Sequence, residues 1–402
     1  MKKSLVAVAV LGAFAGSAVA ADVTLYGVVD EGLNYSHVNY DNLDVDSTNN
    51  FQMKQGQQAG SRWGLKGVEE LGAGYKVGFN LESGFNADTG TFRTSGTLFD
   101  RESSLWVQTP FGKIAGGRIG SINQGVSSWG KVGRVSAFGT SYGDYVAQLG
   151  TTFSTAGVWN NMIAYETPEF AGFKVYAQYA MGSNDNENKS SSDRYYAIGA
   201  TYDNGPIAGY FAVDSTNYQT SGATFLDADD IDDSLTVTAG GSYNFDVVKV
   251  FFGAQYFDEV TLKSIGGLTN GVLKSEIDGI SKKELKELAT KVYGALKVKG
   301  YGLNLSASAP VANGTALFGV GYVDAKLSDK MMDIVADEVG EGIDTPKLTR
   351  LTVSAGYVYS LSKRTNVYGV ASYMQDKLDP KNDVESTTLK ATTVMVGLRH
   401  NF

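Results

Sequence analysis

Sixteen times along this chain, apolar and polar side chains alternate one residue at a time. Strand side chains repeat every two residues, so each such stretch has one apolar face and one polar face. Tyr75, Val77, Phe79 and Leu81 oppose Lys76, Gly78, Asn80 and Glu82, and Phe173, Val175, Ala177 and Tyr179 oppose Lys174, Tyr176, Gln178 and Ala180. At the end of the chain Thr392, Val394, Val396, Leu398, His400 and Phe402 share one face, and Thr393, Met395, Gly397, Arg399 and Asn401 share the other. The stretches centre near residues 27, 63, 78, 105, 115, 162, 175, 199, 209, 239, 251, 304, 319, 354, 369 and 397. One face suits lipid and the other water. The last stretch alone would also fit a soluble sandwich, but sandwiches rarely sustain the pattern so often. The fold class expected is therefore all-β, a sixteen-stranded antiparallel transmembrane β-barrel.

The N-terminus reads as an export leader. Met1-Lys2-Lys3 is basic, Leu5 to Ala15 is apolar, and Ala18-Val19-Ala20 is a small-residue cleavage site. Cleavage following Ala20 would leave residues 21–402 as the mature barrel. The apolar stretch is shorter than the ~20 residues a spanning helix needs, and no later segment comes closer. Losing Lys2 and Lys3 takes the formal charge from −9 to −11. An acidic chain without basic blocks argues against nucleic acid as a partner. Cysteine is absent, so neither disulfides nor thiolate chemistry is available. The mean hydropathy of −0.15 looks soluble, but a polar lumen dilutes an apolar outer face to the same average.

Connections alternate between short and long, the asymmetry of bacterial outer-membrane barrels. Residues 69–74, 109–112, 167–172, 203–206, 244–246, 310–314 and 360–362 are short turns rich in turn-forming residues. Longer polar segments at 37–57, 85–100, 121–157, 182–193, 215–232, 261–297, 328–346 and 377–390 are expected as extracellular loops. One carries a helix over 281–297: Ser281-Lys282-Lys283-Glu284 is a capping box, followed by Leu285, Leu288, Val292 and Leu296 at helical spacing.

Val23-Thr24-Leu25-Tyr26-Gly27-Val28-Val29-Asp30, Ser61-Arg62-Trp63-Gly64-Leu65-Lys66-Gly67, Gly117-Arg118, Pro168-Glu169-Phe170-Ala171-Gly172-Phe173, Leu361-Ser362-Lys363-Arg364-Thr365 and Val396-Gly397-Leu398-Arg399-His400-Asn401-Phe402 follow one another along the chain. In order and spacing they resemble the general porins of Gram-negative outer membranes, in particular the neisserial and β-proteobacterial branch. The resemblance runs end to end. It implies a homotrimer in outer-membrane lipid and lipopolysaccharide, passive diffusion of ions and small hydrophilic solutes, and a third loop folded inside the barrel as a constriction.

With Trp63 and Leu65 outward, alternation turns Arg62, Gly64 and Lys66 inward, where the family's wall cations match Arg62 and Lys66. Two surface cations on an edge strand would give the same pattern. Arg118 matches the family's arginine at the end of the fifth strand, yet alternation groups it with Ile114 and Gly116, so a bulge must intervene if it lines the lumen. Arg101 could join the ladder or pair with Asp100 at the rim. The inward-loop segment, 121–157, has Lys131, Arg134 and Asp144 as its ionisable charges. A lone carboxylate facing wall cations would set a transverse field across the pore. The family's constriction loops often carry more acidic residues, so this chain departs from the pattern there. Pro168-Glu169-Phe170 resembles a constriction-loop motif of enteric porins but sits at a short turn. Phe402, with Leu398 on the same face, is expected to be the assembly signal.

A barrel enzyme would need a histidine near a serine or aspartate. The two histidines, His37 and His400, belong at opposite ends of the barrel, so no catalytic residues are expected. Asp227, Asp229, Asp230, Asp232 and Asp233 invite a calcium reading, but Ile231 occupies a ligand position and the loop glycine is missing. A solvated acidic rim accounts for them, and no metal or cofactor is expected. Gly72-x-Gly74 and Gly116-Gly117 lack the strand-loop-helix setting of a nucleotide site. A substrate-specific channel or a surface-binding barrel on the same scaffold stays open, because selectivity lives in a few lumen positions.

Overall fold

A computed structural model describes residues 22–41, 46–143, 145–182, 192–219, 232–261, 296–333, 345–379 and 386–402. β1 (Asp22–Asp41) opens the wall, and both β2 (Thr48–Gln55) and β3 (Arg62–Gly72) pair with it. β4 (Tyr75–Asn86) carries the two-residue β5 (Thr91–Phe92) at its far end. The wall continues through β6 (Glu102–Thr109), β7 (Gly112–Gly120), β8 (Val158–Glu166) and β9 (Phe173–Ala180). β10 (Arg194–Asn204), β11 (Ile207–Asn217), β12 (Leu235–Asn244) and β13 (Lys249–Thr261) follow. β14 (Lys297–Val311), β15 (Gly314–Leu327), β16 (Lys347–Ser360), β17 (Thr365–Asp379) and β18 (Thr387–Asn401) complete it.

β18 pairs back onto β1, from Val28↔Asn401 to Asp41↔Thr388, and this closes the ring. Phe402 and Gly27 exchange two backbone hydrogen bonds of 3.1 Å at the seam. β2 and β3 are two lengths of one wall position, separated by residues 56–61, and β5 is an appendage of β4. The wall is thus a closed barrel of sixteen antiparallel strands. Closure leaves no sheet edge with unpaired backbone groups, the condition for a sheet to stand in lipid.

The outer surface is apolar. Leu105, Ile198, Leu305 and Val396 stand exposed along its middle, with Tyr196, Tyr256 and Tyr301 toward the long loops and Phe111, Phe170 and Phe245 at the short turns. Aromatic rings at both ends suit the two membrane interfaces. The short turns sit where expected, and Ala73, Ala171, Asp246 and Ala312 take left-handed backbone there.

Several expected loop boundaries need correction: 215–217, 377–379 and 387–390 are strand, and the first loop differs most. Residues 37–41 and 48–55, read as loop, are strand. Above the membrane both faces of a strand meet water, so alternation fades while the backbone ladder continues. The wall is accordingly uneven: at ~3.3 Å per residue, eight-residue β6 runs ~26 Å and fifteen-residue β14 ~50 Å. The helix expected at 281–297 lies largely outside the described residues; Leu296 and Lys297 alone are described, and Lys297 begins β14.

Candidate pore constriction

Arg62, Gly64 and Lys66 of β3 stand in register with Gly84, Glu82 and Asn80 of β4, while Trp63 and Leu65 take the other face. Glu82 is shared by two guanidinium groups: Arg101 Nε lies 2.6 Å from its Oε1, and Arg62 Nε 3.4 Å from its Oε2. The Tyr26 hydroxyl donates to the same Oε2 at 3.0 Å. Lys66 sits 5.3 Å from the Tyr26 ring centroid and has no carboxylate partner among the described residues. Arg101 is therefore a wall residue rather than half of a rim pair. Its neighbour Asp100 instead accepts from the Gly84 amide at 2.7 Å and the Thr94 hydroxyl at 2.9 Å.

Arg118 is set apart from this group. The register breaks between Gly117 and Ile119, where Asn161 of β8 takes left-handed backbone. Arg118 nevertheless stays in register with Ser103, on the face opposite Glu102. Its Nε donates to the Asp100 carbonyl at 3.0 Å and its Nη1 to Asn160 Oδ1. A bulge is present, yet it does not bring Arg118 to Glu82.

Residues 121–143 and 145–157 run along the inner face of the barrel. Their amides need partners away from bulk water, and inward side chains of the wall provide them. Ile122 N donates to Gln178 Oε1 (2.7 Å), Ser128 N to Glu102 Oε2 (2.7 Å), Ala137 N to Ser306 Oγ (2.9 Å), Ala147 N to Ser354 Oγ (2.8 Å) and Ser154 N to Gln255 Oε1 (2.6 Å). Asn123 Nδ2 donates to Asp214 Oδ1 at 3.2 Å near the start of the segment. Near its end Arg350, held bidentately by Asp376, donates to the Thr151 carbonyl at 3.0 Å. That carbonyl belongs to a helical turn, α1 (Leu149–Thr152). Gly302 makes the close approach feasible, since a Cβ there would collide with the Thr152 carbonyl.

Apolar side chains finish the seating. Ile122, Trp129, Val132, Val135, Leu149 and Phe153 are buried with Ile119, Met162 and Tyr195 of the wall. Phe138, Tyr142 and Val146 pack with Tyr368, Val370 and Met395. Apolar packing thus lies between this segment and the wall, unlike a soluble domain, whose sheets bury their apolar faces against each other.

Of the segment's own charges, Lys131 donates to the Ser128 carbonyl at 2.8 Å and lies 5.5 Å from the Tyr176 ring. Burial lowers its pKa, with Glu166 opposing. Arg134 forms a bidentate pair with Asp203 at 2.6 and 2.8 Å, and this hydrogen bonding raises its pKa. Asp144 lies outside the described residues. Between the arc 125–142 and the wall is a cleft of about 510 Å³, bordered by Lys131, Arg134, Tyr142, Gln58 and Arg399. A closed barrel with a polar, charged cleft beside an inward segment is a structure for letting hydrophilic solutes past.

The description that fits residues 7–379 is that of a Gram-negative porin. The chain belongs to that family. An outer membrane porin protein of Bordetella pertussis is 32% identical to this porin, with both chains covered in full. Outer membrane porin protein 32 of Delftia acidovorans is 30% identical, again over the whole of both. The major outer membrane protein P.IB of Neisseria gonorrhoeae is 27% identical over 92% of this chain and 98% of its own. Among solved structures, the anion-selective porin from Comamonas acidovorans superposes with a TM-score of 0.64 at 26% identity, covering 95% of this chain and 100% of that one. These relatives place the porin in the neisserial and β-proteobacterial branch and in the Gram-negative outer membrane.

Several charged residues of the porin's interior escaped the sequence reading, four of them near the expected constriction or the cleft. Glu82 joins Arg62 and Arg101, Glu102 takes the Ser128 amide, Asp30 is fully buried, and Arg399 borders the cleft. Alternation places Glu82 inward with Lys76 and Asn80, and Arg399 inward with Met395 and Gly397. The signal that they meet the other charges lies in strand register and in the path of 121–157, which local patterning does not carry.

Proposed function

We propose that this porin works as a passive diffusion channel with a mild anion preference, constricted where residues 121–157 face Arg62, Arg101 and Lys66. The observation that carries it is a set of inward cations without carboxylate partners among the described residues, Lys66, Lys131, Lys174 and Lys249, while the interior acids are engaged either by cations or, as Asp30, Glu102 and Asp214 are, by hydrogen bonds from neutral groups. Asp203 is held by Arg134, Glu166 by Lys113 at 3.2 Å, and Glu82 by two arginines. Constriction charges act on an ion at close range, whereas the net −9 of the whole chain acts largely from elsewhere, beyond a screening length of ~8–10 Å. The relative from Comamonas acidovorans is described as anion-selective, which supports the same sign.

The reading includes a homotrimer, contact with lipopolysaccharide at the rim, export with cleavage following Ala20, and no enzymatic role. Arg62→Gln with Lys66→Gln should shift the zero-current potential in a salt gradient toward cations, and Asp144→Asn should shift it toward anions. A strongly cation-selective wild type that neither change moves would refute both the sign and the residue assignments.

A further inference from the structure

The last strand brings one more cation to the cleft, and the wall around it is arranged so that the charge stays available. Arg399 stands in register with Asp30 across the β1–β18 seam, the natural place for an ion pair. Asp30 is engaged elsewhere: its Oδ1 accepts from the Tyr368 hydroxyl at 2.6 Å and its Oδ2 from the Ala59 amide at 2.6 Å. Its own amide and carbonyl are taken by Ser61 Oγ and the Gly56 amide. All of these partners except Tyr368 belong to residues 56–61, which break the wall strand between β2 and β3. Asp30 is wholly buried, while Arg399 borders the 510 Å³ cleft, and its buried Nε has no hydrogen-bond partner among the described residues. Lys131, Thr140, Ser141 and Gln58 line the same cleft.

We infer that Arg399 is a specificity-determining residue of the channel, contacting small anionic solutes, carboxylates or inorganic oxyanions, as they pass between it and Lys131. The inference rests on the reading of this cleft as the conducting path. A sphere of the cleft's volume is ~10 Å across, about one screening length, so both cations act on a solute inside it. Residues 56–61 and Tyr368 serve as positioning groups: by satisfying the Asp30 carboxylate they keep it from closing on the guanidinium. The hydroxyls of Thr140 and Ser141, which line the cleft, can replace part of the water an anion sheds.

The test is the zero-current potential of the full-length porin in planar bilayers under a potassium chloride gradient. Arg399→Gln should lower the anion-to-cation permeability ratio about four- to sixteenfold, since one charge ~5 Å from the ion in a water-like medium shifts anion and cation by about two- to fourfold each in opposite directions, and Arg399→Lys should retain most of it. Because a change in the closing strand could impair folding, Gln58 provides a second route. The chain has no cysteine, so Gln58→Cys introduces a single thiol. An anionic methanethiosulfonate adduct should lower the ratio, and a cationic one should raise it. A cation-selective wild type would refute the selectivity proposed above, yet a cation-directed shift with Arg399→Gln or the anionic adduct would still support this assignment. Unchanged potentials in Arg399→Gln and in both adducts would overturn it, whatever Arg62→Gln with Lys66→Gln does.

Discussion

Replacing Asp376 by leucine takes the carboxylate away from a guanidinium that is wholly buried. Arg350 donates through Nε and Nη2 at 2.7 Å each to Asp376 and through Nη1 at 3.0 Å to the Thr151 carbonyl. Removing one member of a buried pair costs about 3–5 kcal/mol, because the remaining charge keeps its desolvation penalty without its partner. Removing both is different. Arg350→Leu with Asp376→Leu eliminates the charge as well as the pair, leaving the loss of the guanidinium's remaining contacts, the bond to Thr151 among them, at about 1–3 kcal/mol for that unsatisfied buried carbonyl. The double variant should therefore be more stable than Asp376→Leu alone, a non-additivity of about 2 kcal/mol or more that a double-mutant cycle measures. Urea unfolding of the detergent-solubilised porin, followed by tryptophan fluorescence, reports it directly, since Trp129 is buried in the segment that Arg350 anchors. If the double variant loses as much as the two single variants combined, the pair is not coupled and the reasoning fails.

Three further outcomes follow from the geometry. Phe402→Ala should lower insertion yield well below that of Asn401→Ala in an assembly assay with outer-membrane vesicles, because the Phe402 ring fills the space over Gly27 at the seam; equal yields would refute its role as a signal. Gly302→Val should disturb the seat of α1 and reduce single-channel conductance or folded yield, since a Cβ there meets the Thr152 carbonyl; a variant of unchanged conductance and yield would show that 121–157 does not depend on this contact. The lowered pKa of Lys131 means its charge is lost at lower pH than the usual 10.5, so anion preference should decline as pH rises toward that value. Lys131→Arg, which stays charged, should lessen the decline and most of all at its low-pH end, as reversal potentials between pH 8 and 10.5 would show.

Strands were legible in the sequence wherever the wall crosses lipid. In β14, Tyr301, Leu303 and Leu305 must face hydrocarbon while Asn304 and Ser306 face the lumen, so composition and period agree. The reading failed where that demand stops: residues 48–55 form strand with no consistent apolar face, because water lies on both sides of them. Arg62 and Lys66 could be placed inward by counting from Trp63. That Arg62 shares Glu82 with Arg101 could not be counted, since it depends on the register set at the 72–75 turn and on how the chain returns at β6. The Asp30 arrangement was less legible still. Its partners, Tyr368 and residues 56–61, meet only because the barrel closes.

The inward segment is tied to the wall chiefly by uncharged groups: the hydroxyls of Ser306 and Ser354 and the amides of Gln178 and Gln255. Neutral hydrogen bonds feel little of the surrounding electrolyte, whereas a charge filter weakens as salt shortens the reach of each ion to ~3 Å at 1 M. The molecule therefore behaves as two sieves in series with different sensitivities. Its mesh for size should hold from dilute water to brine, and its discrimination by charge should fade. A cell moving between such media would keep excluding the same large molecules while losing its preference among the small ones.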